Sequence, residues 1–154
     1  MSAPLRAAII AAGEGSRLRE SHPGVVKPLV PVAGRPLCHW VASALSGAGV
    51  RDITVLLNSS GTQVRRSLAG AFPAVRWTFL QQDTASSWES FRLVSHHMGR
   101  AGTDFMVSAV DSLMPPAETA RFARSARDCK AAAALALTSF VDDEKPLWAD
   151  LSGG

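Results

Sequence analysis

The sequence predicts an α/β fold in which helices cover both faces of a mainly parallel sheet. Two observations carry this prediction. Short apolar runs alternate along the chain with amphipathic segments of roughly 10–15 residues, which is the pattern of strands joined by crossover helices. The composition, with 47% hydrophobic and 19% charged residues in 154 residues, is that of one globular domain with a buried core.

The first half of the chain begins with Ala7–Ala12, a short apolar run that ends at Gly13 and suits a fully buried strand. A long polar stretch rich in glycine and proline follows, from Gly13 to Pro36, and loops of this length in a compact domain are usually functional. Leu37–Ala48 is predicted to be a helix, because its apolar residues repeat at three-to-four spacing and Gly49 stands at its end. The β-branched run Ile53–Leu57 is predicted to be a strand.

The later elements continue the alternation. Ser86 or Ser87 is expected to start the third helix, with Glu89 in its first turn, and proline begins the fourth. The expected elements are helix Thr62–Ala71, strand Val75–Gln81, helix Ser87–Met98, strand Phe105–Val110, helix Pro116–Arg127 and strand Ala131–Thr138, with a further strand beginning in Lys145–Leu151. Ala131–Thr138 is assigned as a strand despite its alanines, because it follows a helix and precedes a polar turn.

Together these elements predict a three-layer α/β/α Rossmann-like sandwich with a mainly parallel, mixed sheet, formed by a single nucleotide-binding domain over residues 1–154. Ligands of such sheets lie at the carboxyl ends of the strands, here at Gly13, Asn58, Gln81 and Asp111. The chain stops in what would be the start of a hairpin, so a fragment of a longer protein is an open alternative.

Charge is unevenly distributed between the two halves. Residues 1–77 carry nine Lys/Arg against three Asp/Glu, and residues 78–154 carry seven against ten. A basic first half suits a polyanion such as a nucleoside triphosphate, and an acidic second half suits a metal ion, although solvated surface charge gives the same asymmetry. Nucleic-acid binding is not expected, because the basic residues are scattered, are not interleaved with aromatic residues, and tyrosine is absent.

The two cysteines, Cys38 and Cys129, make neither a disulfide framework nor a metal-site spacing, which favours a reducing cytoplasm. No run in the sequence is long and apolar enough to span a membrane, so no membrane partner is expected. The oligomeric state is left open.

The run Gly13-Glu14-Gly15-Ser16-Arg17 is the candidate phosphate-binding loop. Glycines after a strand let backbone N–H groups close around phosphate oxygens, although a plain strand-to-loop turn has the same pattern. The Rossmann fingerprint would need glycine where Leu18 stands, and the P-loop spacing is absent. Two cations on the same long loop, Arg17 and Lys27, suit the neutralisation of a triphosphate and of its leaving pyrophosphate.

Two runs carry a family resemblance: Ala11-Ala12-Gly13-Glu14-Gly15-Ser16-Arg17-Leu18, and Lys27-Pro28-Leu29-Val30-Pro31-Val32-Ala33-Gly34-Arg35-Pro36-Leu37. They resemble the signature of nucleoside-diphosphate-sugar pyrophosphorylases, whose wider superfamily includes the MobA-like molybdenum-cofactor enzymes and cytidylyltransferases. The resemblance implies that Gly13, Gly15, Ser16 and Arg17 hold the phosphates. It also implies that Lys27 stabilises the transition state at the α-phosphate, and that Ala11 and Ala12 lie against base and ribose.

The resemblance extends to the end of the third strand. There Gln81 takes the place of a base-reading glutamine, with Gln82 as a competitor one residue away. Ser86-Ser87 stands where the family has Gly-Thr, a departure that leaves the base preference open. A polar loop that caps a helix is the alternative interpretation of these residues.

Asp111 is the candidate metal ligand. The resemblance implies a Mg²⁺-binding aspartate at the end of this strand, although Val110 replaces the usual glycine. One strand-end carboxylate suffices for Mg²⁺ when the nucleotide and water supply the remaining oxygens. The alternative role is that of a helix N-cap. The resemblance also implies a second acidic ligand later in the chain; Asp142, Asp143, Glu144 and Asp150 lack the matching context, and a position beyond Gly154 is left open.

The expected function is therefore Mg²⁺-dependent transfer of a nucleoside monophosphate from an NTP to a small phosphorylated acceptor, with release of pyrophosphate. The second sequence block favours a sugar phosphate as the acceptor. Two alternatives remain: a MobA-like or cytidylyltransferase-type enzyme with another acceptor, and a non-catalytic nucleotide-sensing module.

Overall fold

The computed structural model describes residues 5–13, 15, 18, 20 and 22–138. In chain order, its strands are β1 (Arg6–Ala11), β2 (Pro31–Val32), β3 (Arg35–Pro36), β4 (Asp52–Leu57), β5 (Arg76–Gln81) and β6 (Phe105–Ala109). Its longer helices are α1 (Leu37–Gly47), α2 (Thr62–Ala71), α3 (Ser87–Gly99) and α4 (Pro116–Asp128). The main sheet has the order β5-β4-β1-β6, and its three strand pairings are all parallel.

Alternate side chains of β1 enter two separate cores. Ala7, Ile9 and Ala11 pack with the buried side of α1 and α2, whereas Ala8 and the following Ala12 pack with α3. A strand that is buried on both faces is apolar throughout, which explains the run AAIIA. The predicted three-layer α/β/α fold is confirmed: α1 and α2 cover one face of the sheet and α3 covers the other.

The connections between strands determine where a ligand can bind. The chain passes from β1 to β4 and β5 through α1 and α2, then returns through α3 to place β6 on the other side of β1. The direction of winding therefore reverses between β1 and β6. In open α/β sheets, the crevice outside the carboxyl ends of the strands at such a reversal is where ligands bind.

Most of the predicted elements are confirmed, and each of these has both ends within one residue of the prediction. The predicted strand Ala131–Thr138 is wrong, because these residues are exposed and form no strand. Alanine brings little of the side-chain packing that stabilises a strand. The predicted strand in Lys145–Leu151 lies outside the described residues. No helix in the described ranges has the length and apolarity needed to cross a membrane.

The long loop after β1 contains structure that the sequence did not predict. A 3₁₀ turn covers Lys27–Leu29, and β2 and β3 form a small antiparallel hairpin. The turn of this hairpin, Ala33-Gly34, has φ angles of 49° and 76°, so both residues are left-handed. Two-residue hairpins favour such turns but usually carry Asn-Gly or Asp-Gly, which is why Ala-Gly gave no hairpin signal.

Candidate functional site

Lys27 and Asp111 form an ion pair at the reversal between β1 and β6. The Lys27 Nζ donates to Asp111 Oδ2 at 2.5 Å, although the two residues are 84 positions apart in the chain. Asp111 follows β6, where the backbone N–H of Val110 still donates to Ile10 of β1 at 3.0 Å. The fold therefore brings together the predicted catalytic lysine and the predicted metal ligand.

The position of Lys27 is fixed by its local backbone. Pro28 is buried, and the 3₁₀ turn closes through the backbone N–H of Leu29, which donates to Val26 at 2.8 Å. Gly15 lies against the same lysine: it has a φ of +60°, and a Cβ built there would be 3.2 Å from the Cβ of Lys27. Gly15 and the lysine are thus neighbours, as a shared phosphate site would require.

The other residues predicted for the loop are placed as follows. Ala11 and Ala12 are buried at the end of β1, and Gly13 is exposed beside them. Ser16 and Arg17 lie outside the described residues. Their predicted contacts with phosphate stay predictions.

A cavity of about 330 Å³ opens at the carboxyl ends of β1 and β4. Ala11, Gly13 and Lys27 line it, so it adjoins the ion pair. Its remaining described lining comes from the segment before and after Lys27 (Gly24, Val25, Val26, Pro28) and from the turn between β4 and α2 with the start of that helix (Asn58, Ser60, Gly61, Val64). Asn58 was predicted only as a strand end, and the other residues of this second wall were not predicted from the sequence.

The wall formed by the β4–α2 turn is held by hydrogen bonds to the end of β5 and to the connection that follows it. The backbone N–H of Ser59 donates to Asp83 Oδ1 at 2.9 Å, and the Gln81 Nε2 donates to the carbonyl oxygen of Ser59 at 3.1 Å. Because a carbonyl only accepts, the amide of Gln81 has its NH₂ toward Ser59 and its Oε1 away from that bond. Gln81 therefore supports the cavity wall, whether or not it also contacts a base.

Ser86 and Ser87 lie at the start of α3. The Ser86 Oγ accepts from the backbone N–H of Glu89 at 3.1 Å, and Glu89 Oε2 accepts from the N–H of Ala85 at 2.8 Å. Capping of the helix is the alternative role foreseen for these serines, and the structure shows it for Ser86. Ser87 is exposed in the first turn.

The alternative role for Asp111, as a helix N-cap, does not occur, because the N-cap of α4 is Pro115. The Asp111 side chain is 49% exposed at the ligand edge of the sheet. Within the described ranges, no three His, Cys, Asp or Glu side chains cluster to hold a metal ion. A single accessible carboxylate fits Mg²⁺, which often takes one or two protein carboxylates and completes its shell with phosphate and water.

The sequence profile of MobA-like NTP transferase domains matches residues 7–150. The chain belongs to this family. It is 30% identical to the CMP-5'-(3-aminopropyl)phosphonate synthase of Streptomyces rubellomurinus over 92% of its length, and 30% identical to the bifunctional protein GlmU of Sorangium cellulosum over 91%. It spans only 25% and 30% of the lengths of these two relatives.

A solved structure supports the fold of this NTP transferase domain. The inositol-1-phosphate CTP transferase of T. maritima superposes with a TM-score of 0.61 at 20% identity, over 75% of this chain and 47% of that one. The resemblance to the nucleotidyltransferase superfamily, inferred from the two sequence runs, is confirmed by the family profile and the two relatives. At this identity, the superposition establishes the shared fold alone.

Proposed function

We propose that this domain binds the donor nucleotide of a nucleotidyltransferase that transfers a nucleoside monophosphate from an NTP to a small phosphorylated acceptor. The observation that carries the proposal is the meeting of Lys27 and Asp111 beside the cavity at the reversal of the sheet. Membership of the NTP transferase family supports the same reaction class. The acceptor that we favour is a sugar phosphate, because the block from Lys27 to Leu37 resembles that of sugar-nucleotide pyrophosphorylases.

In the proposed reaction, a phosphate oxygen of the acceptor attacks the α-phosphorus of the NTP. A new P–O bond forms as the bond to the bridging oxygen breaks, and pyrophosphate leaves with that electron pair. Lys27, together with Arg17, would stabilise the charge that develops on the phosphate oxygens. Asp111 would hold Mg²⁺, which when bound neutralises charge on the phosphates.

The remaining assignments concern the nucleotide itself. Ala11, Ala12, Gly13, Gly15 and Ser16 are proposed to contact it through the loop after β1. Gln81 is proposed to contact the base through Oε1, the end of its amide that is not bound to Ser59. Ser86 and Ser87 would lie near the base edge, with Ser86 contributing mainly as the cap of α3.

The first prediction is that Lys27→Ala lowers turnover about a hundredfold or more with a smaller effect on nucleotide affinity, because Lys27 would act chiefly on the transition state. The measurement is pyrophosphate release from each of four NTPs with Mg²⁺ and pooled sugar phosphates, alongside nucleotide binding. Lys130→Ala removes the same charge after α4 and serves as the control.

Equal turnover in the Lys27→Ala variant and the wild type would contradict the proposed role. Nucleotide binding without pyrophosphate release by the wild type would instead support a nucleotide-sensing module. Release with a different phosphorylated acceptor, and none with sugar phosphates, would support the other enzymatic alternative.

A further inference from the structure

We propose that the Lys27–Asp111 ion pair is a resting state that couples metal binding to nucleotide binding. In this state the Lys27 ammonium occupies the position of a metal ion at Asp111, and the Asp111 carboxylate occupies the position of a phosphate at Lys27. The lysine blocks the carboxylate that would hold the cation, and the carboxylate withholds the lysine from the phosphates. The proposal rests on the proposed function, because it takes Asp111 as the metal ligand and Lys27 as the phosphate ligand.

The contact itself is the first support for this proposal. The Lys27 ammonium lies 2.5 Å from Asp111 Oδ2, which is direct contact with an oxygen that a cation would need. Lys27 lines the cavity, and Asp111 follows β6, so the ion pair links these two parts of the described structure. An ammonium and Mg²⁺ are both hard cations that seek carboxylate oxygen, so they compete for the same group.

The second support is that the pair can open at low cost. The two side chains are 37% and 49% exposed, so water can replace each partner when the pair separates. Exposed ion pairs are weak for this reason. A ligand with modest preference for the open state therefore shifts the equilibrium.

The third support is the short path that Lys27 has to travel. The buried Pro28 and the 3₁₀ turn hold its backbone, so only the outer bonds of its flexible stem need to rotate. The base of that stem lies beside Gly15, in the loop proposed to hold the phosphates. An ammonium released from Asp111 would thus lie close to the proposed phosphate site.

The consequence is that the cation and the triphosphate each strengthen the binding of the other. A cation on Asp111 releases Lys27 for the phosphates, and a triphosphate on Lys27 releases Asp111 for the cation. By linkage, each ligand raises the affinity for the other by the same factor. We expect about a fivefold factor from the pair itself, the low end of typical coupling between sites, because the pair is half exposed.

The test is a double-mutant cycle on metal-free nucleotide binding. NTP affinity is measured by calorimetry in the presence of a chelator for the wild type, Asp111→Asn, Lys27→Met and the double variant. Asp111→Asn is expected to tighten binding about fivefold more when Lys27 is present than in the Lys27→Met background. Simple repulsion between Asp111 and the triphosphate predicts the same gain in both backgrounds, and that result would overturn the proposal.

The reciprocal measurement uses Mn²⁺ in the absence of nucleotide, followed by electron paramagnetic resonance. Lys27→Met is expected to tighten Mn²⁺ binding, and the gain is expected to disappear when Asp111→Asn is added. Asp104→Asn, which removes the same charge just before β6, and Lys130→Met are the charge-matched controls. If Lys130→Met tightens Mn²⁺ binding as much as Lys27→Met, net charge explains the effect and the proposal fails.

The two proposals fail in different ways. If the wild type binds no NTP even with Mg²⁺, the proposed function fails and the coupling fails with it. If the wild type binds NTP and releases pyrophosphate with Mg²⁺ but the cycle is additive, the proposed function stands and the coupling alone is wrong.

Discussion

At the scale of single residues, Gly15 shows why the loop after β1 needs glycine next to Lys27. Its φ of +60° is costly for any residue with a Cβ, and that Cβ would press on the stem of the lysine at 3.2 Å. Gly102, in the turn between α3 and β6, has a φ of +63° and no atom within 4 Å of an added Cβ. A side chain at either position would therefore carry a similar backbone cost, but only at Gly15 would it contact Lys27.

The second prediction compares Gly15→Ala with Gly102→Ala. Both variants are expected to lose about 1 kcal/mol of unfolding free energy, because both place alanine in the left-handed region. Only Gly15→Ala is expected to lower turnover, about tenfold or more, because it displaces Lys27. Urea denaturation and pyrophosphate release are the measurements, and equal turnover of the two variants would count against the role of Gly15.

At the scale of elements, the β2–β3 hairpin, α1 and α2 meet around a polar and aromatic cluster. The His39 Nε2 of α1 lies 2.8 Å from Ser67 Oγ of α2, and its ring meets Phe72 edge-on at 5.5 Å. The Arg35 guanidinium of β3 lies over Trp40 at 5.1 Å and over Phe72 at 5.9 Å. Trp40 in turn donates from Nε1 to the carbonyl of Val32 at 2.9 Å, which ties the hairpin to α1.

This arrangement makes the packing of the hairpin sensitive to pH. Burial lowers the pKa of His39 below its ordinary value of 6.5, and the positive charge of Arg35 lowers it further. The unfolded chain therefore binds a proton at a higher pH than the folded chain does. Stability from neutral His39 is fully present above pH 6.5 and is lost as the pH falls from there through the folded pKa.

The third prediction follows from the lowered pKa of His39 in the folded chain. The urea midpoint of the wild type is expected to fall as the pH is lowered below 6.5. His39→Gln keeps an amide for Ser67 and is expected to flatten this dependence, whereas His96→Gln, on the exposed side of α3, is expected to keep it. The hydrogen bond from Arg76 lowers the pKa of Asp52 below its ordinary value of 3.8. Titration of Asp52 therefore changes the stability only below pH 3.8, a range separate from that of His39. An unchanged slope in His39→Gln would contradict the assignment.

At the scale of the whole molecule, the two thiols report on the integrity of the fold. Cys38 is fully buried in the core between α1 and the sheet, and burial raises the pKa of its thiol to about 11. Cys129 is exposed just after α4. Because the thiolate is the reactive form, Cys38 is doubly protected, by its pKa and by lack of access.

The fourth prediction is that a thiol reagent at neutral pH modifies one cysteine rapidly in the native protein and two after denaturation. Cys129→Ser is expected to remove the rapid phase, and the slow reaction of Cys38 is then expected to follow opening of the core. Rapid modification of two thiols in the native wild type would show that the core around α1 is not closed.

Sequence reasoning predicted the fold well because the two faces of β1 and the amphipathic helices leave clear periodic signals. It missed the hairpin because Ala33-Gly34 adopts a turn usually marked by Asn or Asp. It predicted Asp111 because this residue ends a strand, and Lys27 because it is a cation in a block with a family resemblance, but it did not predict that the two would pair. It missed Asp83 as a support for Ser59, because that contact joins two loops and follows from no local pattern.

The separation of Lys27 and Asp111 along the chain has a consequence for the order of folding. The pair spans 84 residues, and it forms only when β6 has closed against β1. Contacts of such long range carry a large loop-closure entropy and form late relative to local helices. Among the described residues, a chain that has formed its helices before β6 pairs with β1 is therefore expected to have Lys27 without its carboxylate partner.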